Sequence, residues 1–199
     1  GGHVTLFFAI MDKSEKIEEQ GSFGAGLCLK HGVEAIARGE EGDFKLKINY
    51  LDGNGEDRLY EEVIKILLDE VPEIGDYSWE LNIKMSLPVS QGFGMSGAGA
   101  VAAASSFQRA LGVSHEESRR RSYLIAHKVE RIRSTGLGDI TALSAGGVER
   151  RIAVGSPYSG KKLNSGPGKA EGWFEEMPVI LAWKSETGKH TSNYIDNVE

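Results

Sequence analysis

Apolar and polar positions along this chain follow two distinct periods, and the switches between them outline its elements. Val4, Leu6 and Phe8 alternate with their neighbours, which predicts a half-buried strand at the start. An acidic loop follows over Asp12 to Gln20, and strand patterns return at Leu27–Leu29, Val33–Ala37 and Phe44–Tyr50. Asp52-Gly53-Asn54-Gly55 is a turn signal. Leu59, Val63, Ile66 and Leu67 then recur at helical spacing within Leu59–Leu68. Trp79, Leu81, Ile83, Met85 and Leu87 take every second position of a strand, and the Ala-rich stretch from Gly99 to Leu111 predicts a helix. Glu116–Arg133 predicts a second helix, Ile140–Ala145 a further helical segment, and Val148–Val154 a strand. Ser156–Gly172, rich in Gly, Ser, Pro and Lys, reads as a mobile surface excursion, and Pro178–Trp183 as a new apolar strand. Strands first and paired helices afterwards predict an α+β fold rather than regular βαβ alternation.

The run Pro88-Val-Ser-Gln-Gly-Phe-Gly-Met-Ser-Gly-Ala-Gly-Ala100 lies between the Trp79–Leu87 strand and the Ala-rich helix. A glycine-rich turn there exposes backbone N–H groups beside the positive end of a helix dipole, a combination that binds phosphate. Gly92, Gly94, Gly97 and Gly99 would let a triphosphate approach the backbone. No Gly-Lys-Ser/Thr is present, so a P-loop is excluded, and the spacing is not that of a Rossmann fingerprint. Asp139 stands in the Gly-rich segment Ser134-Thr-Gly-Leu-Gly-Asp-Ile-Thr-Ala142, where an acidic residue is either a turn or cap residue or an exposed, rigid carboxylate. Glu130 sits on the Glu116–Arg133 helix, where it either pairs with Lys128, Arg131 or Arg133 or offers a carboxylate to a cation. Gly21-Ser-Phe-Gly-Ala-Gly26 is equally compatible with an anion-binding nest and with a loop entering the Leu27–Leu29 strand.

The spacing Pro88-x-x-x-Gly92-x-Gly94-x-Ser96 resembles the ATP-binding motif of the GHMP kinases, which phosphorylate small hydroxylated metabolites. The variant Gly-Phe-Gly-Met-Ser-Gly-Ala-Gly is most similar to the archaeal pantoate kinases of that superfamily, as is Gly-Ser-x-Gly-Ala-Gly. Gly2-His-Val-Thr-Leu6 is similar to the superfamily's first motif, with Gly1 where a proline is usual. Met95 stands where many members carry serine, a departure the pantoate kinases share. The resemblance implies an α+β N-terminal domain, a sheet covered by helices with a left-handed crossover, akin to the second domain of a small-subunit ribosomal protein. It further implies ATP binding by Pro88, Gly92, Phe93, Gly94, Met95, Ser96, Gly97 and Ala98, and magnesium binding by Ser96 and Glu130. Asp139 would be the base that takes the acceptor's proton. The substrate side is expected at His3, Ser22, Gly24 and Gly138, with Ser22 not read as catalytic and His3 chiefly orienting a loop.

The expected reaction is phosphorylation of pantoate to 4-phosphopantoate in coenzyme A biosynthesis. The alternatives are another GHMP kinase, acting on mevalonate, homoserine or a related hydroxy acid, and a nucleotide-binding regulator without transfer activity. Residues 1–177 are expected to form the N-terminal ATP-binding and catalytic domain and 178–199 the start of a second, largely absent domain. A lone N-terminal half would expose a face through which a homodimer could form.

Bulk properties bear on partners. A net charge of −6 argues against a broad nucleic-acid footprint, although Arg119, Arg120, Arg121, Lys128, Arg131 and Arg133 form a basic cluster. The single cysteine, Cys28, permits no intrachain disulfide and suits a reducing compartment. No run has the length of a transmembrane helix and the N-terminus carries no basic-then-apolar signal, so a cytoplasmic protein without a membrane partner is expected.

Overall fold

A computed structural model describes residues 1–11 and 13–184. Nine strands and four α-helices are formed among these residues. In chain order they are β1 (His3–Met11), β2 (Gly21–Cys28), β3 (Val33–Glu41), β4 (Lys45–Tyr50), α1 (Asp57–Glu70), β5 (Tyr77–Met85), α2 (Met95–Ala110), α3 (His115–Ile132), α4 (Asp139–Ala145), β6 (Val148–Ala153), β7 (Tyr158–Ser159), β8 (Asn164–Ser165) and β9 (Lys169–Trp173). The strands divide into an antiparallel sheet ordered β1-β2-β6-β9, a mixed sheet ordered β3-β5-β4 and the small β7/β8 hairpin. In the mixed sheet β4 runs parallel to β5, with α1 as the crossover, and β3 runs antiparallel to it.

The core lies between the mixed sheet and the helices. Trp79, Leu81 and Ile83 of β5 pack against Leu59, Val63 and Leu67 of α1, Phe107 of α2 and Val129 of α3. Trp79 meets Phe107 edge to face at 5.1 Å and donates its indole N–H to the Ile74 carbonyl at 2.9 Å. Ala100, Ala103 and Ala104 give α2 a face without bulk, so that sheet and helices close tightly over it. Ser114 caps α3 by accepting the Glu117 N–H. No helix among the described residues is long and apolar enough to cross a membrane.

Several expectations need correction. Residues 21–26 form neither a loop nor a nest: they are most of strand β2, paired with β1 and, from Gly24 on, also with β6. Residues 156–172 stay largely exposed but are not irregular: they fold into the β7/β8 hairpin and β9, which pairs with β6. Arg119 and Arg120 reach across from α3 to this hairpin, Arg120 lying over the Tyr158 ring and donating to the Leu163 carbonyl. That use accounts for part of the basic cluster. Pro178–Trp183 forms no strand, since no neighbouring strand pairs with it. Its apolar groups lean on the loop instead: Leu181 packs on the Leu87, Phe93 and Met95 cluster, and Trp183 meets Phe93 edge to face at 5.9 Å. Helix α2 begins four residues earlier than the pattern suggested, at Met95. Residues 191–198, anticipated as a loop or helix, lie outside the described residues.

Candidate active site

The loop after β5 delivers the chain to the N-terminus of α2. Gly92 (φ +79°) and Gly94 (φ +60°) both occupy the left-handed region that side chains disfavour, which explains glycine at these two places. Gly94 is the N-cap residue of α2 and no side chain caps the helix, so the first-turn N–H groups are left for a ligand. Pro88 is half-buried at the loop entrance and Gly92 is exposed at its tip. Phe93 and Met95 are buried with Leu87, and Ala98 is buried in the helix. Only the backbones of Phe93, Met95 and Ala98 can face a phosphate, and Met95 serves as an apolar anchor. Gly97 and Gly99 belong to the helix rather than the loop. A Cβ on Gly97 would stand 2.9 Å from Glu130 Oε1, and one on Gly99 the same distance from the Tyr60 hydroxyl. Their bareness makes room for other side chains.

Ser96 and Glu130 converge across α2 and α3, the Ser96 hydroxyl donating to Glu130 Oε1 at 3.2 Å. Glu130 is almost fully buried, so it is not on a solvated face, and the cations beside it in sequence have hydrogen-bond or ion-pair partners of their own. Lys128 pairs with Glu18, Arg131 donates to Gln20, and Arg133 pairs with Glu56. Burial, then the charge of Asp139, pushes the Glu130 carboxyl up. Gly136 closes the carboxylate in from the other side, since a Cβ there would lie 2.5 Å from Oε2. A hydroxyl and a carboxylate brought together in this way fit a hard divalent cation, which prefers oxygen donors. No group of three or more His, Cys, Asp or Glu side chains among the described residues could hold a metal unaided.

Asp139 opens α4 with its side chain about one-fifth exposed. Its Oδ1 accepts a hydrogen bond of 2.6 Å from His3 Nδ1, and His3 Nε2 donates to Glu149 Oε1 at 3.0 Å. His3 is sealed from solvent with both ring nitrogens engaged, which places it behind Asp139 rather than against a ligand. Burial alone would lower the His3 pKa, but the two carboxylate hydrogen bonds and charges outweigh it and raise it to about 9. Both ring nitrogens then carry protons, and His3 is an imidazolium between two carboxylates.

Strand β2 explains how so many charges fit. Gly24 pairs with Arg151 of β6 and Gly26 with Glu149, and Cβ atoms at either glycine would collide with the site's side chains. Glycine at alternate positions of β2 leaves a trough in which Glu149 and Arg151 lie, both buried. Ser22, also buried, and Gly138 complete its rim: a Cβ on Gly138 would be 2.5 Å from both the Ser22 Oγ and Arg151 Nη1. The Arg151 Nε and Glu149 Oε2 have no hydrogen-bond partner and stand 3.9 Å apart. The structure thus groups His3 with Asp139, Ser96 with Glu130, and Ser22, Gly24 and Gly138 around Arg151. Glu149 and Arg151 escaped the sequence reading, yet a signal was there. Val148-Glu-Arg-Arg-Ile152 puts Glu149 and Arg151 on one strand face, opposite the alternate glycines of 24–26.

Residues 58–147 match the family described as GHMP kinases N terminal domain. The chain carries a GHMP kinase N-terminal domain. It is 32% identical over 182 residues to the pantoate kinase of Thermococcus kodakarensis, covering 90% of this chain and 56% of that protein. With the pantoate kinase of Methanospirillum hungatei it shares 30% identity over 154 residues, 77% of this chain and 52% of the other. A solved structure described as a phosphotransferase related to the coenzyme A biosynthesis pathway superimposes with a TM-score of 0.72 at 28% identity, covering 88% of this chain and 56% of that one. The chain spans about half the length of the curated relatives it matches. The α+β architecture anticipated from the order of elements is thus that of the GHMP kinase N-terminal domain.

Proposed function

We propose that this protein transfers the γ-phosphoryl group of ATP to the primary hydroxyl of a small hydroxy acid, with pantoate as the substrate. The observation that carries this reading is the convergence of three features. One is the uncapped N-terminus of α2, the second the partly exposed Asp139 gripped by His3, and the third the buried Arg151 guanidinium with its Nη1 beside Gly138. The first suits an oligophosphate, the second an alcohol's proton, and the third an acid's carboxylate. The likeness to pantoate kinases of two archaea supports the choice of acid.

In the proposed reaction the acceptor's hydroxyl oxygen forms a bond to the γ-phosphorus as the bond from that phosphorus to the β,γ-bridging oxygen breaks, releasing ADP. The hydroxyl proton passes to the Asp139 carboxylate. First-turn N–H groups of α2 and the Gly92–Gly94 backbone would hold the phosphates by hydrogen bonds and the helix dipole. Ser96 and Glu130 would hold magnesium, which when bound neutralises phosphate charge. Arg151, reached past Ser22 and Gly138, would take the acceptor's carboxylate and so set the distance from that anchor to the hydroxyl that meets Asp139. A small-molecule kinase of this kind would act in the cytoplasm, in keeping with its one free cysteine.

The test is an acceptor panel: ATP consumption by the intact protein with pantoate, mevalonate, homoserine or pantothenate. Turnover with pantoate is expected. Turnover with a different alcohol would keep the mechanism and replace the substrate, and tight ATP binding with no turnover on any acceptor would favour a nucleotide-binding regulator.

A further inference from the structure

Glu149 has no task in the reaction above, yet it is as completely enclosed as His3. Its side chain is fully buried on β6, its Oε1 accepts from His3 at 3.0 Å, and its Oε2 faces Arg151 Nε at 3.9 Å without a hydrogen bond. Burying a carboxylate is costly unless charged partners compensate, and an apolar side chain of like volume is often the more stable choice. Structure has also been shaped around it. Gly26, opposite Glu149 in the sheet, has no side chain, and a Cβ there would press on both Glu149 Oε1 and His3 Nε2.

Resting on the reading of Asp139 as the base, we propose that Glu149 is a positioning residue. It holds His3 charged and turned toward Asp139 and braces Arg151 from behind, so that the base and the carboxylate anchor keep a fixed separation. The chain of contacts runs Asp139, His3, Glu149, Arg151, from the first turn of α4 through β1 to β6. At one end the Asp139 carboxylate is partly exposed, and at the other the buried guanidinium lies beside Gly138. Removing the Glu149 charge would leave His3 with one hydrogen-bonded carboxylate instead of two and take away the ion pair of Arg151. The other groups around His3 cannot replace it. Thr5 offers only a hydroxyl at 3.4 Å, and the carboxyl of Glu130 is itself pushed up by burial. The Cys28 thiol is pushed up to about 11 by burial and by the charges of Glu149 and Asp139, so it stays neutral.

The deciding experiment combines NMR of 15N-histidine-labelled protein with steady-state kinetics, on the intact protein and on Glu149→Gln. In the unmodified protein His3 should carry protons on both ring nitrogens at pH 7.5. In Glu149→Gln its titration should move toward neutral pH, kcat should fall ~10-fold or more, KM for the acid should rise, and the ATP dissociation constant should stay within about twofold. A variant that folds, keeps His3 charged and retains kcat would overturn the proposal and leave Glu149 a purely structural residue. Should the variant fail to fold, the unmodified protein still decides, because a neutral His3 at pH 7.5 is incompatible with the proposal. Absence of transfer to every acceptor together with a charged His3 would overturn the kinase reading while leaving the Glu149–His3 pairing in place.

Discussion

Replacing His3 by glutamine should remove a stabilisation that is itself pH-dependent, and the sign of that dependence follows from the site. His3 is raised from its ordinary 6.5 to about 9 by Asp139 and Glu149, against the effect of burial. A group bound more tightly to its proton in the folded state contributes stability that is full below its unfolded value and is lost as pH rises through its folded value. The window is therefore pH 6.5 to about 9, and a shift of that size corresponds to about 3 kcal/mol. Its side chain is wholly buried, so solvent screening does not erode the figure. Urea denaturation at a series of pH values, read by the fluorescence of the three tryptophans, gives the unfolding free energy of both proteins. The advantage of the unmodified protein over His3→Gln should shrink by about 3 kcal/mol between pH 6.5 and 9.5. Glu130, also raised, adds to the loss in both proteins as pH rises through its own folded value. A difference that stays constant, or widens with pH, would refute the charged-histidine account.

Other outcomes follow from the same geometry. On the acid side, His127 is held near 4 by burial, although it donates to the Ile17 carbonyl, so stability should also fall as pH drops from 6.5 toward 4. A His127→Gln variant should flatten that limb in the same denaturation series. Gly136→Ala should displace the Glu130 carboxylate and weaken magnesium-dependent nucleotide binding ~10-fold, measured by calorimetry with and without the metal, while metal-free binding changes little. Arg151→Lys should raise KM for the acid by ~10-fold or more and leave KM for ATP alone, because an ammonium cannot reproduce the guanidinium fork. Phe107→Ala, at the centre of the core under Trp79, should cost about 3–5 kcal/mol in denaturant unfolding.

The elements that the sequence made legible are those whose periodicity belongs to one face. Alternation in Trp79–Leu87 and the helical spacing in 59–68 correspond to β5 and α1 because both bury one side against the same core. The glycine-rich stretches misled for a physical reason. Glycine was taken as a mark of turns, whereas in β2 it marks close approach within a sheet, and in α2 it accommodates Glu130 and Tyr60. Candidate site residues could be drawn from Ser96, Glu130 and Asp139 because they sit in short local patterns. Glu149 and Arg151 could not, since their significance arises from pairing between β6 and β2, more than a hundred residues apart in the chain. The Pro178–Trp183 stretch is apolar enough for a strand but lacks a partner, and strand formation depends on pairing that composition does not reveal.

The measurement that bears most directly on the central claim compares Asp139→Asn with the unmodified protein in two assays, ATP binding and phosphoryl transfer to pantoate. The asparagine keeps the size of the side chain and an oxygen to accept the His3 proton but cannot take up the proton of the alcohol. Nucleotide affinity within about twofold and a loss of about 10²- to 10⁴-fold in turnover are predicted. Turnover that survives the substitution would contradict the assignment of Asp139 as the base, and with it the mechanism built on the His3–Asp139 pair.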